Sequence, residues 1–173
     1  MFITGDSEII REFLQVVGSE KSCIDNEKII PYPQKYKDKT ILGLIRKFIL
    51  LRMDEEERKS IMTNPNYNVN TSDGFNNGGY DWCSNVWGSK WGICHAELIN
   101  FIEDQARISF DSPWGPPDGL IYKMGEMFPE LDFDITYEEP GCCFAGSIEM
   151  RNGEVVLEES HEIEYLEDGL EDE

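Results

Sequence analysis

Few side chains in this sequence can move protons, attack a carbonyl or hold a metal. Two histidines, His95 and His161, and five cysteines, Cys23, Cys83, Cys94, Cys142 and Cys143, stand against 35 aspartates and glutamates. His95 and Glu97 fall on the polar side of an alternating run, which places the histidine on a strand face. No serine or cysteine nucleophile lies beside it at a motif spacing, and acid–base catalysis needs an orienting partner and a pocket. His161 belongs to an acidic C-terminal run. The cysteines are odd in number and lack CxxC spacing, so reduced thiols are expected. Zinc would suit thiolates and imidazole, but Cys142 and Cys143 read as neighbours in a strand that point to opposite faces and cannot chelate together. The series Asn64, Asn66, Asn68, Asn70, Asp73 has calcium-loop alternation, yet Thr71 stands where the turn glycine is needed and no bidentate glutamate follows. Paired carboxylates of the glycosidase kind arise by chance in so acidic a chain. The expectation is a non-enzyme with no metal and no cofactor.

Carboxylates are the abundant chemistry, and they are unevenly placed. Residues 1 to 90 hold 13 acidic and 12 basic side chains, whereas residues 91 to 173 hold 22 acidic and 3 basic ones, Arg107, Lys123 and Arg151. Nearly the whole net charge of −20 therefore sits in the second half. Such a field repels nucleic acid and anionic membranes and steers the protein toward basic surfaces. Nine of the 15 basic residues lie between Lys28 and Lys59, where Arg46, Lys47 and Arg52 form the one plausible nucleic-acid-binding surface. Four tryptophans, Trp82, Trp87, Trp91 and Trp114, can line a pocket or pack a core.

The elements that position these groups follow from periodicity. Phe2-Ile3-Thr4 reads as a strand, Asp6 as a helix cap, and Ile9, Ile10, Phe13, Leu14 and Val17 as one helical stripe closed by Gly18. Ile29 to Pro33 reads as extended. A second helix is expected from Lys39, with Ile41, Leu44, Ile45, Phe48 and Leu51 on one face. Residues 63 to 79 read as a long polar loop. Tyr80 to Trp87 gives a short helix stopped by Gly88. Beyond Trp91 the period becomes two: Cys94, Ala96 and Leu98, then Ala106, Ile108 and Phe110, form two half-buried strands. Pro117 opens a helix carrying Leu120, Ile121, Met124, Met127 and Phe128, and Pro129 ends it. Leu131, Phe133, Ile135 and Tyr137 alternate with Asp132, Asp134, Thr136 and Glu138. Arg151-Asn152-Gly153 is a hairpin turn before Val155 and Leu157. Glu158 to Glu173 holds nine acidic and no basic residues and is expected to fray.

This order implies an α+β fold, a split β-α-β antiparallel sheet with helices on one face. One domain is expected over 1–157, with a helical and loop insertion at about 34–78 and an acidic tail over 158–173. The run Tyr80-Asp81-Trp82-Cys83, Asn85-Val86-Trp87-Gly88-Ser89-Lys90-Trp91-Gly92, then Phe110, Trp114, Pro116-Pro117 and Phe128-Pro129-Glu130-Leu131, resembles the YubB-type (Api-like) ferredoxin-like domain of plasmid and phage proteins. The likeness spans mainly Tyr80 to Leu157, with a weaker echo in Phe2 to Pro33. It implies the ferredoxin-like fold and a mobile-element origin, and no catalytic residues.

The alternation sets His95, Glu97, Arg107, Ser109, Asp111, Asp132, Asp134, Thr136, Glu138 and Glu149 opposite the apolar face. A sheet face without aromatics and mostly negative repels an RNA strand, which would need stacking platforms. The expected function is that of a non-catalytic mobile-element protein that presents Asp111, Asp132, Asp134, Glu138, Glu149, Glu158 and Glu159 to a basic, nucleic-acid-handling host protein and inhibits it, as an anti-CRISPR or other anti-defence mimic of nucleic acid. Two alternatives stand beside it: nucleic-acid or nucleoprotein binding through the basic 28–59 segment, and a small-molecule site or enzyme built on the four tryptophans. With no basic leader, no apolar leader and no run of about 20 apolar residues, the expected location is the cytoplasm of a bacterial host.

Overall fold

A computed structural model of the chain describes residues 1–37, 52–62 and 75–164. The expected stripe from Ile41 to Leu51, with Arg46 and Lys47, lies outside the described residues, as do 63–74 and 165–173. Six strands form one antiparallel sheet: β1 (Phe2–Thr4), β2 (Cys94–Ile102), β3 (Gln105–Asp111), β4 (Asp132–Glu139), β5 (Phe144–Arg151) and β6 (Glu154–Glu162). Their order across the sheet is β2-β3-β1-β4-β5-β6. The first four strands of that order make the split β-α-β arrangement of a ferredoxin-like fold, and two further strands extend it at one edge.

Helix α1 (Ser7–Val17) begins where Asp6 accepts hydrogen bonds from the backbone N–H of Glu8 at 2.8 Å and of Ile9 at 3.4 Å. Ile10, Phe13 and Val17 are buried, three points on one helical face. Two short helices follow, α2 (Asn26–Ile29) and α3 (Gln34–Lys37), then α4 (Glu55–Met62) in the insertion and α5 (Tyr80–Val86) after it. Helix α6 (Asp118–Met127) buries Leu120, Ile121 and Met124. Phe13 ties the layers together: its ring meets Phe128, just past α6, edge-on at 5.3 Å and Phe133 of β4 at 5.5 Å. Burying each such side chain contributes about 1.5–3 kcal/mol. The core lies between the two long helices and the face of the sheet that carries Ile3, Ala106, Ile108, Phe133, Ile135, Ile148 and Met150.

Several local expectations change. Ile29 is helical and buried, so the extended segment starts one residue later. Phe75–Gly79, expected as loop, is a π-helical turn that runs into α5. Cys142 and Cys143 are not in a strand: Cys142 ends a 3₁₀ turn (Pro140–Cys142), and Cys143 follows it in the left-handed region at φ 55°. Leu98 is not a core residue. Leu98 pairs with the inward-facing Ile108, but β2 is an edge strand and Leu98 is exposed there while Ala96 is buried; register shifts between Cys94 and Glu97 and again between Leu98 and Asn100 break the period of two on either side. The tail begins later than expected as well. Glu158 to Glu162 continue β6, pairing with Ile148 back to Phe144. That hairpin turns on Asn152 at φ 53° and Gly153 at φ 76°, the two positive values that a tight two-residue hairpin requires.

Candidate functional site

Strand pairing assigns each side chain to a face. Phe2 stands opposite Arg107 and Asp134, Thr136 opposite Ser147, Glu138 opposite Ala145, and Ser147 opposite Glu159. With Ile3, Ile108, Phe133, Ile135 and Ile148 turned toward the helices, the other face carries eight carboxylates, Glu97 opposite Ser109, Glu154 opposite Arg151, and Asp111, Asp132, Asp134, Glu138, Glu149 and Glu159, with two guanidinium groups, Arg107 and Arg151. The expectation of a face without aromatics is corrected. Phe2 is 45% exposed on it, with the Arg107 guanidinium 5.3 Å from its ring centroid. The signal was there in Phe2-Ile3-Thr4, whose short length leaves two of three residues facing outward.

Glu158 does not belong to this face. It points to the helix side, where the Tyr122 hydroxyl of α6 donates to its carboxylate at 2.8 Å. Burial first, then that bond, raises the Tyr122 hydroxyl above its ordinary pKa. Asp118 at the start of α6 is pushed up to about 6, by burial and then by the charge of Glu158. One of its carboxylate oxygens is buried without a hydrogen-bond partner among the described residues.

These carboxylates fall into unlike groups. At the hairpin end, Arg151 gathers three of them. Its Nη2 donates to Asp134 at 2.6 Å and to Glu149 at 3.4 Å, and its Nε lies 3.7 Å from Asp132. Its Nη1 donates to the carbonyls of Phe133 and Met150 at 3.2 and 2.9 Å. The bond to Asp134 above all raises the guanidinium's pKa. Arg151 was visible in the sequence as a turn residue, but a turn position gives no sign that its side chain reaches back to the neighbouring strand β4.

At the opposite end, Asp111 pairs only with the exposed His95, at 2.9 Å, and Glu138 has no hydrogen bond or ion pair among the described residues. Glu159 accepts from the Ser147 hydroxyl at 3.3 Å. A cavity of about 710 Å³ opens at this end. It passes between β3 and β4, with Asp111, Glu138 and Glu139 at its polar rim and Phe110, Tyr137 and Phe144 toward the helix side. It exists because β1 is short: β3 meets β1 from Gln105 to Arg107, and β4 meets it from Asp132 to Asp134. The Met1 amine donates to the carbonyl of Ile108 at 3.0 Å, and beyond it no described strand stands between β3 and β4.

The four tryptophans do not meet in one pocket. Trp82 and Trp87 stack edge-on at 5.5 Å and share Tyr32, and the Trp87 indole N–H donates to the carbonyl of Ile30 at 2.9 Å. That cluster packs α5 onto the segment after α2. Trp91 is 53% exposed beneath the Lys90 ammonium, and Trp114 is 71% exposed. None of the four lines the cavity. Trp114 holds φ at 70°, a value that non-glycine residues rarely adopt, in the loop whose next residues, Gly115 and Pro116, do line it.

For the nucleic-acid alternative, Arg52 is exposed, while Arg46 and Lys47 are outside the described residues. Among the described residues no three of His, Cys, Asp and Glu are arranged to hold a metal ion. Burial pushes the Cys83 thiol up to about 11 and raises Cys23 and Cys94, the opposite of what nucleophilic thiols require. No helix among the described residues is long and apolar enough to cross a membrane. No curated protein and no solved structure matches the chain. Residues 89–173, which supply β2 to β6 and α6 of this ferredoxin-like sheet, match the family described as the ferredoxin-like domain in Api92-like protein.

Proposed function

We propose that this chain is a non-catalytic binding protein of phage or plasmid origin that docks its acidic sheet face on a basic, nucleic-acid-handling protein in the cytoplasm of a bacterial host and inhibits it, as an anti-CRISPR or other anti-defence mimic of nucleic acid. The observation that carries this reading is the open face itself, with eight carboxylates at strand spacing against two guanidinium groups. Rigid strands hold such charges at fixed separations, which a disordered tail cannot do. Complementary charge raises the rate of encounter and sets orientation, and both effects weaken with salt.

The geometry shifts the weight within that face. Asp132, Asp134 and Glu149 share Arg151 and present a reduced field, whereas Asp111 and Glu138 are highly accessible. The docking charge therefore concentrates at the Asp111 and Glu138 end. The test is a pull-down from host lysate with the full chain at about 50 and 500 mM salt, spanning a roughly threefold change in Debye length. Salt-sensitive capture of a nucleic-acid-binding protein, competed by DNA or RNA, is the expected result. Absence of any such partner, or direct binding of labelled nucleic acid by the chain alone, overturns it.

A further inference from the structure

We infer that the slot between β3 and β4 takes an extended basic segment of the partner as an additional strand in line with β1. This deepens the proposed function and rests on it for the partner's positive charge. The argument starts from spacing. Where they pair with β1, at Gln105–Arg107 and Asp132–Asp134, the two walls lie two strand separations apart, about 9.6 Å, the width that one strand fills with hydrogen bonds on both sides, and the slot opens from that end.

The backbone of the walls is in phase for it. Met1 and Ile108 exchange both hydrogen bonds, at 2.9 and 3.0 Å, and an antiparallel ladder alternates bonded and non-bonded pairs. The N–H and C=O of Phe110 are therefore the next on β3 to face the slot. On β4, where β1 ends with Phe2 opposite Asp134, the same alternation turns the main-chain groups of Thr136 and Glu138 inward. An open sheet edge is a template for a further strand, and a slot with two such edges offers twice the bonding of one.

The side chains of the slot state what that strand carries. Continuing the register of β1, its first position lies between Ser109 and Thr136 on the open face. The second lies between Phe110 and Tyr137 toward the helices, where Phe144 and Pro116 complete an apolar wall. The third lies between Asp111 and Glu138 and calls for lysine or arginine. The occupant is thus a segment with alternating basic and apolar residues.

The experiment uses a fluorescein-labelled nine-residue peptide of alternating lysine and leucine and reads its anisotropy against the full chain. Binding is expected, weakened at least tenfold by the Asp111→Lys, Glu138→Lys pair and unchanged by Glu126→Lys on the outer surface of α6. Both slot substitutions are at exposed positions, and an unchanged circular dichroism spectrum checks that they fold. A peptide of the same charge, N-methylated at each leucine, loses backbone donors and is expected to bind at least tenfold more weakly. Equal affinity for the methylated peptide overturns strand addition. So does capture of the basic host protein that survives the Asp111→Lys, Glu138→Lys pair, while leaving the acidic-face reading standing. Peptide binding that obeys the slot variants without any captured host protein supports the slot and overturns the inhibitory reading.

Discussion

Asp134 and Glu138 are four residues apart on one strand, on the same face, and in the sequence they are interchangeable members of a single alternating acidic run. The structure separates them. Asp134 is held at 2.6 Å by Arg151 together with Glu149 and Asp132, whereas Glu138 stands at the rim of a gap in the sheet with no counter-charge among the described residues. One end of the face engages its carboxylates in the fold's own ion-pair network, and the other leaves them without a guanidinium partner among the described residues. The difference teaches that alternation places charge on a face but says nothing about which charges that face neutralises for itself.

The largest test of this contrast is Arg151→Met. It removes the shared cation from three carboxylates and two carbonyls, and we expect a loss of about 2 kcal/mol in chemical denaturation, since a network of charge-assisted bonds exceeds a lone surface pair. The loss should shrink in 0.5 M salt if repulsion among Asp132, Asp134 and Glu149 causes it, and persist if the bonds to Phe133 and Met150 dominate. A milder cut at the same end, Asp134→Asn, is expected to cost about 1 kcal/mol, because Glu149 and Asp132 still hold the guanidinium.

The helix face supplies a third kind of carboxylate and a pH signature. Asp118 is held up at about 6, above its unfolded value, so the proton it keeps in the fold stabilises the protein fully below pH about 4. That contribution is lost as pH rises through about 6. Asp118→Asn should flatten the fall in stability between pH 4 and 6 and gain about 1 kcal/mol at pH 7, a figure discounted for the solvent that reaches the group. An unaltered pH profile would mean that Asp118 is not the group strained by Glu158.

The smallest effect belongs to the slot end. Glu138→Gln and Asp111→Asn should each change stability by no more than about 0.5 kcal/mol, since exposed pairs such as His95 with Asp111 contribute little. Any cost near that of Asp134→Asn would erase the contrast between the two ends.

What was readable beforehand was local. Asp6 and the stripe Ile10, Phe13, Val17 declare α1 because a cap and a 3.6-residue period need no distant partner. Asn152-Gly153 declares its hairpin because few other residue pairs adopt two positive φ values. The ferredoxin-like order followed from such pieces in sequence. The end of β6 was not readable: Glu158 to Glu162 look like a tail until β5 lies alongside, since an edge strand is held by its neighbour's backbone rather than by its own apolar residues. The bulges in β2 escaped for the same reason, as the period they break still looks regular in the chain.

The sequence by itself determined that carboxylates alternate with apolar residues along β4 and that the second half of the chain carries nearly all the excess negative charge. Only the tertiary structure decided which of those carboxylates Arg151 takes, that Glu158 faces Tyr122 rather than the open side, and that a three-residue β1 leaves β3 and β4 facing each other across a gap. These outcomes depend on strand order and register, which bring together groups as far apart in sequence as Phe2 and Asp134, and the physics of a charge or a backbone edge is fixed by what stands next to it in space.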